Sequence, residues 1–211
     1  MKRDIQSQDI VWNPRWGKGN VSEKRRALIG IIESLGVRRL PEPVQLASGD
    51  WSSEFIDAKR ALAHGADLAL ACEVLIEMAA ASGVEFDAVG GLTLGADQFS
   101  HGVAVLKPCN WFVVRKVAKG RGTNQRIEGA EIGPGIRVLL VDDVVTRGGS
   151  IKEAYEVVRA TGATVSGAMT LLDRGGHADE FFASEGVAYE AVATYRDLGI
   201  DPVGGESDPH G

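Results

Sequence analysis

Apolar residues beyond residue 65 form two kinds of pattern. Short continuous apolar runs, such as RVLLVD at 137–142, predict strands that are buried on both faces. Between these runs apolar residues recur at helical spacing, so strands and helices alternate along the chain. The pattern predicts an α/β fold with a central, mostly parallel sheet flanked by helices. The predicted strands are 86–91, 111–116, 137–142, 164–173 and 187–195, and the predicted helices are 66–81, 95–106, 150–161 and 177–186.

The first sixty residues follow a different pattern. Apolar residues at helical spacing predict a helix with Ser22 as its N-cap, Arg25 facing solvent and Leu35 on the buried face. Gly36 ends this helix, and RRLPEP then breaks the helical pattern because proline disfavours helix. Residues 44–61 predict two short strands around an SGD turn. We expect a small N-terminal hood on a larger body. The expected divisions are an N-terminal arm at 1–21, the hood helix and strands at 22–60, the core at 61–200 and a C-terminal tail at 201–211.

Composition narrows the classes of function. The chain has 211 residues, 44% of them hydrophobic, which suits one domain with a full core. A formal net charge of -6 does not favour nucleic-acid binding. No apolar run is long enough to span a membrane and no signal peptide is expected. Cys72 and Cys109 form neither a metal-ligand spacing nor a disulfide framework, so we expect a cytoplasmic protein.

The stretch VLLVDDVVTRGGSIKEA, residues 138–154, carries the clearest chemistry. A buried strand runs into Asp142 and Asp143, and a glycine-rich loop follows before the next predicted helix. Glycine backbone, hydroxyl groups and the free N–H groups of a helix N-terminus together form a cradle for a phosphate. The two acids suit the vicinal hydroxyls of a ribose beside that phosphate, or alternatively a ligand carrying Mg²⁺.

This stretch resembles the phosphoribosyl-diphosphate (PRPP) motif of type I phosphoribosyltransferases, in which two acids precede T-x-G-x-S. Four further stretches resemble those of orotate phosphoribosyltransferases, and they look most similar to the actinobacterial members. The similarity runs in order from about residue 22 to about residue 198. The four stretches are VQLASGDWSSEFIDAK, VGGLTLGAD, FVVRKVAKGRGTNQRIEG and LLDRGG.

The resemblance implies a role for each matching residue. It implies that Lys119, Arg121, Asp142 and Asp143 are catalytic. The implied PRPP-binding residues are Arg115, Lys116, Lys119, Asp142, Asp143, Val144, Val145, Thr146, Arg147, Gly148, Gly149 and Ser150. The implied orotate-binding residues are Phe55, Thr146 and Arg174. Mg²⁺ is expected to arrive on PRPP without a direct protein ligand, and a homodimer is expected in which the loop at 116–130 completes the neighbouring site.

The function implied by the resemblance is transfer of ribose 5-phosphate from PRPP to orotate, giving orotidine 5-phosphate and diphosphate for pyrimidine synthesis. Two departures from the family pattern stand out. Arg121 replaces the loop histidine, and arginine does not donate a proton near neutral pH. Ala47 stands where many members have lysine. Two alternatives therefore stay open: a phosphoribosyltransferase for another nucleobase, and a PRPP-binding regulator without turnover.

Overall fold

The computed structural model describes residues 21–46, 48–117 and 126–203. Helices and strands alternate over most of this length, as the apolar pattern predicted. None of the helices within these ranges is long and apolar enough to cross a membrane. The helices are α1 (Val21–Ile31), α2 (Ala58–Ala61), α3 (Gly65–Ala81), α4 (Asp97–Leu106), α5 (Gly149–Arg159) and α6 (His177–Ser184). The strands are β1 (Val37–Gln45), β2 (Trp51–Ile56), β3 (Ala88–Gly90), β4 (Asn110–Val114), β5 (Ile127–Gly129), β6 (Arg137–Val145), β7 (Thr164–Asp173) and β8 (Ala188–Thr194).

Six strands form the central sheet, in the order β5-β4-β3-β6-β7-β8. The four pairings from β4 through β3, β6 and β7 to β8 are parallel, and only β5 runs antiparallel to its neighbour. The prediction of a mostly parallel sheet is therefore confirmed. The carboxyl ends of β3, β4, β6 and β7 share one edge, and this edge is where α/β sheets bind ligands.

Helices cover both faces of the sheet. Strand β6 contributes side chains to both faces, because its successive residues point to opposite sides. Leu139 and Val141 join the apolar cluster formed with α1, α3 and α4. Val138 and Leu140 join a second cluster formed with α5 and α6. All four side chains are buried, so β6 is held rigidly from both sides and fixes the position of whatever follows it.

The helical segment ends at Gly36, before RRLPEP, as predicted, but RRLPEP itself is part of a strand, which was not predicted. It belongs to β1, which pairs antiparallel with β2 in a separate two-stranded sheet. The register shifts between Arg39 and Val44, so Pro41 and Pro43 lie where the ladder has no regular pairs. Proline is tolerated at such an irregularity of an edge strand because it needs no ladder hydrogen bond there. The turn at SGD between the two strands is as predicted.

The first helix also differs from its prediction. Ser22 lies inside the first turn of α1 and is not an N-cap. A π-helical turn at Ile32–Gly36 follows, and it rotates Leu35 outward, so this side chain is 45% exposed instead of buried. Arg25 does not face solvent: its Nε donates to the carbonyl oxygen of Val192 at 2.7 Å and its Nη2 to that of Ala191 at 3.1 Å. Arg25 therefore binds α1 to the edge strand β8.

The glycine-rich region after residue 116 contains a strand that its sequence does not indicate. β5 pairs with β4 through Phe112 with Gly129 and Val114 with Ile127. Beyond the ladder, Arg115 N–H donates to the carbonyl oxygen of Arg126 at 2.8 Å. The chain therefore leaves the sheet after β4 and re-enters it as β5, which lies next to β4.

Candidate active site

Asp142 and Asp143 lie in the second half of the nine-residue strand β6. The strand was predicted to end at Asp142, but it continues to Val145. Both acids therefore lie within the strand. β3 ends at Gly90, opposite Leu140, which leaves the acids next to the turn that follows β3. Asp142 Oδ1 accepts the N–H of Asp143 at 2.9 Å, and Asp143 Oδ1 accepts the N–H of Val144 at 2.7 Å. These bonds fix both carboxylates against their own backbone.

The side-chain carboxyl of Asp142 has a raised pKa. Its side chain is buried, with 4% of the residue exposed. Burial, and then the neighbouring charge of Asp143, raise the pKa of Asp142 to about 7. The charges of Lys59 and Lys116 act in the opposite direction. Asp142 therefore changes charge near neutral pH, and a hydroxyl or a cation that binds it would favour the ionised form.

The turn after β3 passes directly over the two acids. A side chain at Gly95 would overlap Asp142 Oδ1, and its Cβ would be 2.7 Å from Asp143 Oδ1. Glycine is therefore required for this close approach. The N–H of Thr93 donates to the carbonyl oxygen of Val114 at 2.8 Å, and the peptide bond between Thr93 and Leu94 is cis. The end of β4 thus holds the turn in place above β6.

The loop after β6 has the backbone that a phosphate cradle needs. Gly148 adopts a left-handed conformation, with φ at +78°, and α5 begins at the next residue. The space around Gly149 is open, and Ser150 is exposed in the first turn. The free N–H groups and the positive dipole end of α5 therefore face an accessible loop.

Two cations flank this loop. A Cβ placed on Gly148 would lie 3.6 Å from Lys152 Nζ, so this ammonium is beside the loop. Lys152 was missed at the sequence level, although its spacing of four residues from Gly148 along α5 could have indicated it. Arg147 turns toward the turn between β1 and β2, where its Nε lies 3.0 Å from Asp50 Oδ2. This ion pair lowers the pKa of Asp50.

Lys59 is a second residue that sequence analysis missed. It comes from α2, and its Nζ donates to Asp143 Oδ2 at 2.6 Å. Nothing in the apolar pattern indicated that this helix lies over the end of β6. The contact brings a cation from the N-terminal segment to the acidic pair.

The basic residues after β4 line a cleft of about 500 Å³ beside the turn at Thr93 and Leu94. Arg115 Nη1 donates to Glu128 Oε1 at 2.9 Å, while Lys116 is exposed. The cleft adjoins the acids, because Leu94 lines it and the next residue, Gly95, lies against both carboxylates. The predicted site residues Lys119 and Arg121 lie outside the described residues, as does Ala47.

Arg174 follows β7 and is almost completely buried, with 1% exposed. Its Nη1 donates to the carbonyl oxygen of Glu54 at 3.0 Å, and its Nη2 lies 3.2 Å from Ser52 Oγ and 3.4 Å from the carbonyl oxygen of Asp201. Its Nε is buried and has no partner in the part of the chain that the structure describes. Burial lowers the pKa of Arg174. Phe55, on the same strand as Glu54, is 39% exposed.

The end of β7 is rigid around Arg174. Asp173 Oδ1 accepts the N–H groups of Gly175 and Gly176 at 2.9 and 2.8 Å, and Tyr189 Oη donates to Asp173 Oδ2 at 2.8 Å. A Cβ on Gly175 would lie too close to the carbonyl oxygen of Thr146, so the loops after β6 and β7 are in contact. The predicted phosphate loop and the predicted orotate residue Arg174 are thus neighbours.

At one edge of the sheet these elements bring together an acidic pair, a glycine turn, an open glycine loop at the N-terminus of a helix, and basic side chains. Within the described ranges no group of three or more His, Cys, Asp or Glu side chains could hold a metal ion. Residues 69–181 match the model of the phosphoribosyl transferase domain. The fold and this match define the class of the protein as a phosphoribosyltransferase.

Within that class, the chain belongs to the orotate phosphoribosyltransferase family. It is 38% identical over 182 residues to the enzyme of Corynebacterium glutamicum, covering 85% of this chain and 96% of the relative. It is 41% identical over 164 residues to that of Streptomyces avermitilis, covering 75% and 88%. The crystal structure of the Mycobacterium tuberculosis enzyme in complex with PRPP matches with a TM-score of 0.69 at 35% identity, covering 84% of this chain and 99% of that one. The resemblance to actinobacterial members is confirmed.

Proposed function

We propose that the protein transfers ribose 5-phosphate from PRPP to orotate, releasing diphosphate and forming orotidine 5-phosphate for pyrimidine synthesis. One observation carries the proposal: the acidic pair of β6 lies directly before an open glycine loop at the start of α5. Carboxylates accept hydrogen bonds from ribose hydroxyls, and the loop offers N–H donors to the 5-phosphate. The family relationship supports the same reaction, since a relative binds PRPP.

Catalysis of this reaction requires the protein mainly to position the reactants and to stabilise charge. As the bond from C1 of the ribose to the diphosphate breaks, positive charge grows on the sugar and negative charge on the leaving group. In our proposal Asp142 and Asp143 hold the ribose hydroxyls, Val144 to Ser150 hold the 5-phosphate, and Arg115 and Lys116 face the diphosphate. We infer that Mg²⁺ arrives on PRPP, where it neutralises diphosphate charge.

Orotate recognition is assigned to Arg174, Phe55 and Thr146. A guanidinium fork suits a carboxylate, and an exposed ring suits the face of a pyrimidine. Both terminal nitrogens of Arg174 already donate to oxygen atoms of residues 52, 54 and 201. The two longer bonds, to Ser52 and Asp201, are those that a carboxylate would replace, because charge-assisted bonds are stronger.

The expected loop at 116–130 contains β5, so the role of a lid is assigned to the segment between β4 and β5, which carries Lys119 and Arg121. Lys119 would contact the diphosphate, and Arg121 would add charge without acting as a proton donor. Closure excludes water, which would otherwise react with the sugar cation. As part of the same proposal, the loop completes the site of a neighbouring subunit in a homodimer, and the protein works in the cytoplasm. We also propose that the chain consists of an N-terminal arm at 1–21, a hood at 22–60, a core at 61–200 and a C-terminal tail at 201–211.

The first test is the ultraviolet absorbance of orotate after the protein is mixed with PRPP and Mg²⁺. We expect the orotate signal to fall with the wild type and to persist with Lys119→Ala. Lys107→Ala is the matched control, because Lys107 lies at the opposite end of α4 from the acids, near the ring of Phe86. No change at high protein concentration would reject orotate as the substrate. Turnover with another base, or PRPP binding without turnover, would then support one of the two alternatives.

A further inference from the structure

Lys59 reaches the acidic pair from a short helix that is firmly anchored. Ala58 and Ala61 of α2 are buried, and Asp57 Oδ1 caps the helix by accepting the N–H of Arg60 at 3.0 Å. The backbone of α2 therefore has little freedom, although the Lys59 side chain is 52% exposed. Its Nζ lies 2.6 Å from Asp143 Oδ2. That oxygen is the one that Asp143 does not use for its own backbone bond.

A third carboxyl group belongs to the surroundings of the acidic pair. Asp142 precedes Asp143 in β6, and Asp97 opens α4 two residues after Gly95, whose Cβ position lies against both acids. Burial and the charge of Asp143 raise the pKa of Asp97, while the charges of His101 and Lys59 oppose that rise. Asp97 Oδ1 is buried and has no hydrogen-bond partner among the described residues. The site thus concentrates negative charge where a multiply charged anion must bind, and Lys59 provides a cation that acts on all three acids.

We propose that Lys59 is a positioning residue of this site: it fixes the Asp143 carboxylate and offsets the charge of the acidic group toward an anionic phosphoribosyl ligand. The assignment rests on the proposed function. A carboxylate oxygen can accept more than one hydrogen bond, so Lys59 and a ribose hydroxyl can share Asp143 Oδ2. Without the ammonium, the acids would repel the phosphates of the ligand, and Asp143 would lose its anchor to α2.

The binding test compares Lys59→Met, Lys59→Arg and the control Lys107→Met by calorimetric titration with PRPP and Mg²⁺ in the absence of orotate. Lys59→Met should raise the Kd for PRPP roughly tenfold, because an opposite charge near the acids is removed. It should raise KM for PRPP by a similar factor while kcat changes less. Lys59→Arg should restore most of the affinity, and Lys107→Met should bind as the wild type does. Equal or tighter binding by Lys59→Met would overturn the proposal.

A second measurement needs no ligand. The carboxyl of Asp142 is titrated by nuclear magnetic resonance in the wild type and in Lys59→Met, and the midpoint should rise in the variant by roughly half a pH unit or more. An unchanged midpoint would overturn the electrostatic part of the proposal. The charged or titratable groups that act on this carboxyl or on its close neighbours are Asp143 of β6, Lys59 of α2, Lys116 after β4, Tyr189 of β8, and Asp97 and His101 of α4.

The two measurements separate the possible failures. If the wild type binds no PRPP, the proposed function fails, and the titration of Asp142 still decides whether Lys59 acts on the acids. If the wild type and Lys59→Met bind PRPP equally well, the proposed function stands. In that case Lys59 forms an ordinary surface ion pair with Asp143 and has no role in ligand binding. Equal thermal unfolding midpoints of the two proteins would exclude misfolding as the cause of weaker binding.

Discussion

Nε of Arg147 lies 3.0 Å from Oδ2 of Asp50, so an ion pair joins the loop after β6 to the turn between β1 and β2. The two residues are 97 positions apart in the chain. Arg147 belongs to the predicted phosphate loop, yet its guanidinium faces the two-stranded sheet. This ion pair therefore connects the predicted phosphate loop to the two-stranded sheet formed by β1 and β2.

The first prediction concerns this pair. Arg147 holds the pKa of Asp50 below its usual value, so the pair stabilises the fold above the pKa of the unfolded carboxyl, near 4, and this stabilisation is lost as pH falls through the folded pKa. Because Arg147 is 56% exposed, Asp50→Asn should lower the free energy of unfolding at pH 7 by only about 0.5–1 kcal/mol. Urea unfolding at pH 7 and pH 3 measures this. Asp179→Asn, an exposed carboxyl on α6, should show almost no change.

The second prediction concerns the pH dependence of stability. The pKa of Asp142 is raised to about 7 in the folded protein, so its neutral form favours folding and stability declines as pH rises from about 4 through 7. Asp142→Asn keeps an oxygen for the Asp143 N–H and removes the buried charge. The variant should be more stable than the wild type at pH 8 by about 2–4 kcal/mol, and nearly equal to it at pH 4. A stability difference that is the same at both values would contradict the assignment.

The third prediction concerns Arg174. Arg174→Met removes the guanidinium donor from the carbonyl oxygens of Glu54 and Asp201, and it removes one of two donors to the hydroxyl of Ser52, which still accepts the N–H of Glu54. We expect the free energy of unfolding to fall by about 2 kcal/mol, because one buried and two partly buried acceptors each lose a bond to a charged donor. Denaturant unfolding checks this, with Arg196→Met as the control at an exposed position. A loss no larger than that of the control would show that these bonds do not contribute to stability.

The fourth prediction concerns the close approach of the turn after β3. Gly95→Ala places a methyl group against both carboxylates of the acidic pair, so the turn or the acids must shift. PRPP affinity should fall by roughly tenfold or more, since misplacement of about 1 Å is costly at such sites. Gly30→Ala is the control: nothing lies within 4 Å of its Cβ position in α1, and it should raise stability by up to about 1 kcal/mol. Unchanged binding by Gly95→Ala would contradict the required contact.

The elements that the sequence predicted well have strong local signals. β7 has the bounds expected from TVSGAMTLLD, and the parallel order of the sheet follows from continuous apolar runs. The acidic pair and the glycine loop were recognisable because both are contiguous in the chain. Lys152 could have been recognised in the same way from its spacing to Gly148, whereas Lys59 could not, because its position depends on where α2 packs against the end of β6.

The errors have specific physical causes. Leu35 is exposed because a π-helical turn changes the helical phase, and no apolar period indicates such a turn. β1 carries two prolines that a shifted register tolerates. Arg25 is drawn from solvent by the carbonyl oxygens of β8, which lies 167 residues away from it in sequence. For Arg25 a long-range contact outweighs a local preference, whereas for Leu35 and for β1 the cause is a local irregularity of the backbone.

The antiparallel pairing of β4 with β5 has a consequence for how such a protein can change. The N–H of Arg115 and the Nε of Arg126 each donate across the pair, at 2.8 and 2.9 Å, so the departing and returning chains are joined at the border of the sheet. Doubling the length of chain between them adds only about 0.6 kcal/mol of closure entropy. The length of chain between Arg115 and Arg126 can therefore change at little cost to the free energy of folding, because the pairing of β4 with β5 is fixed by the residues on either side.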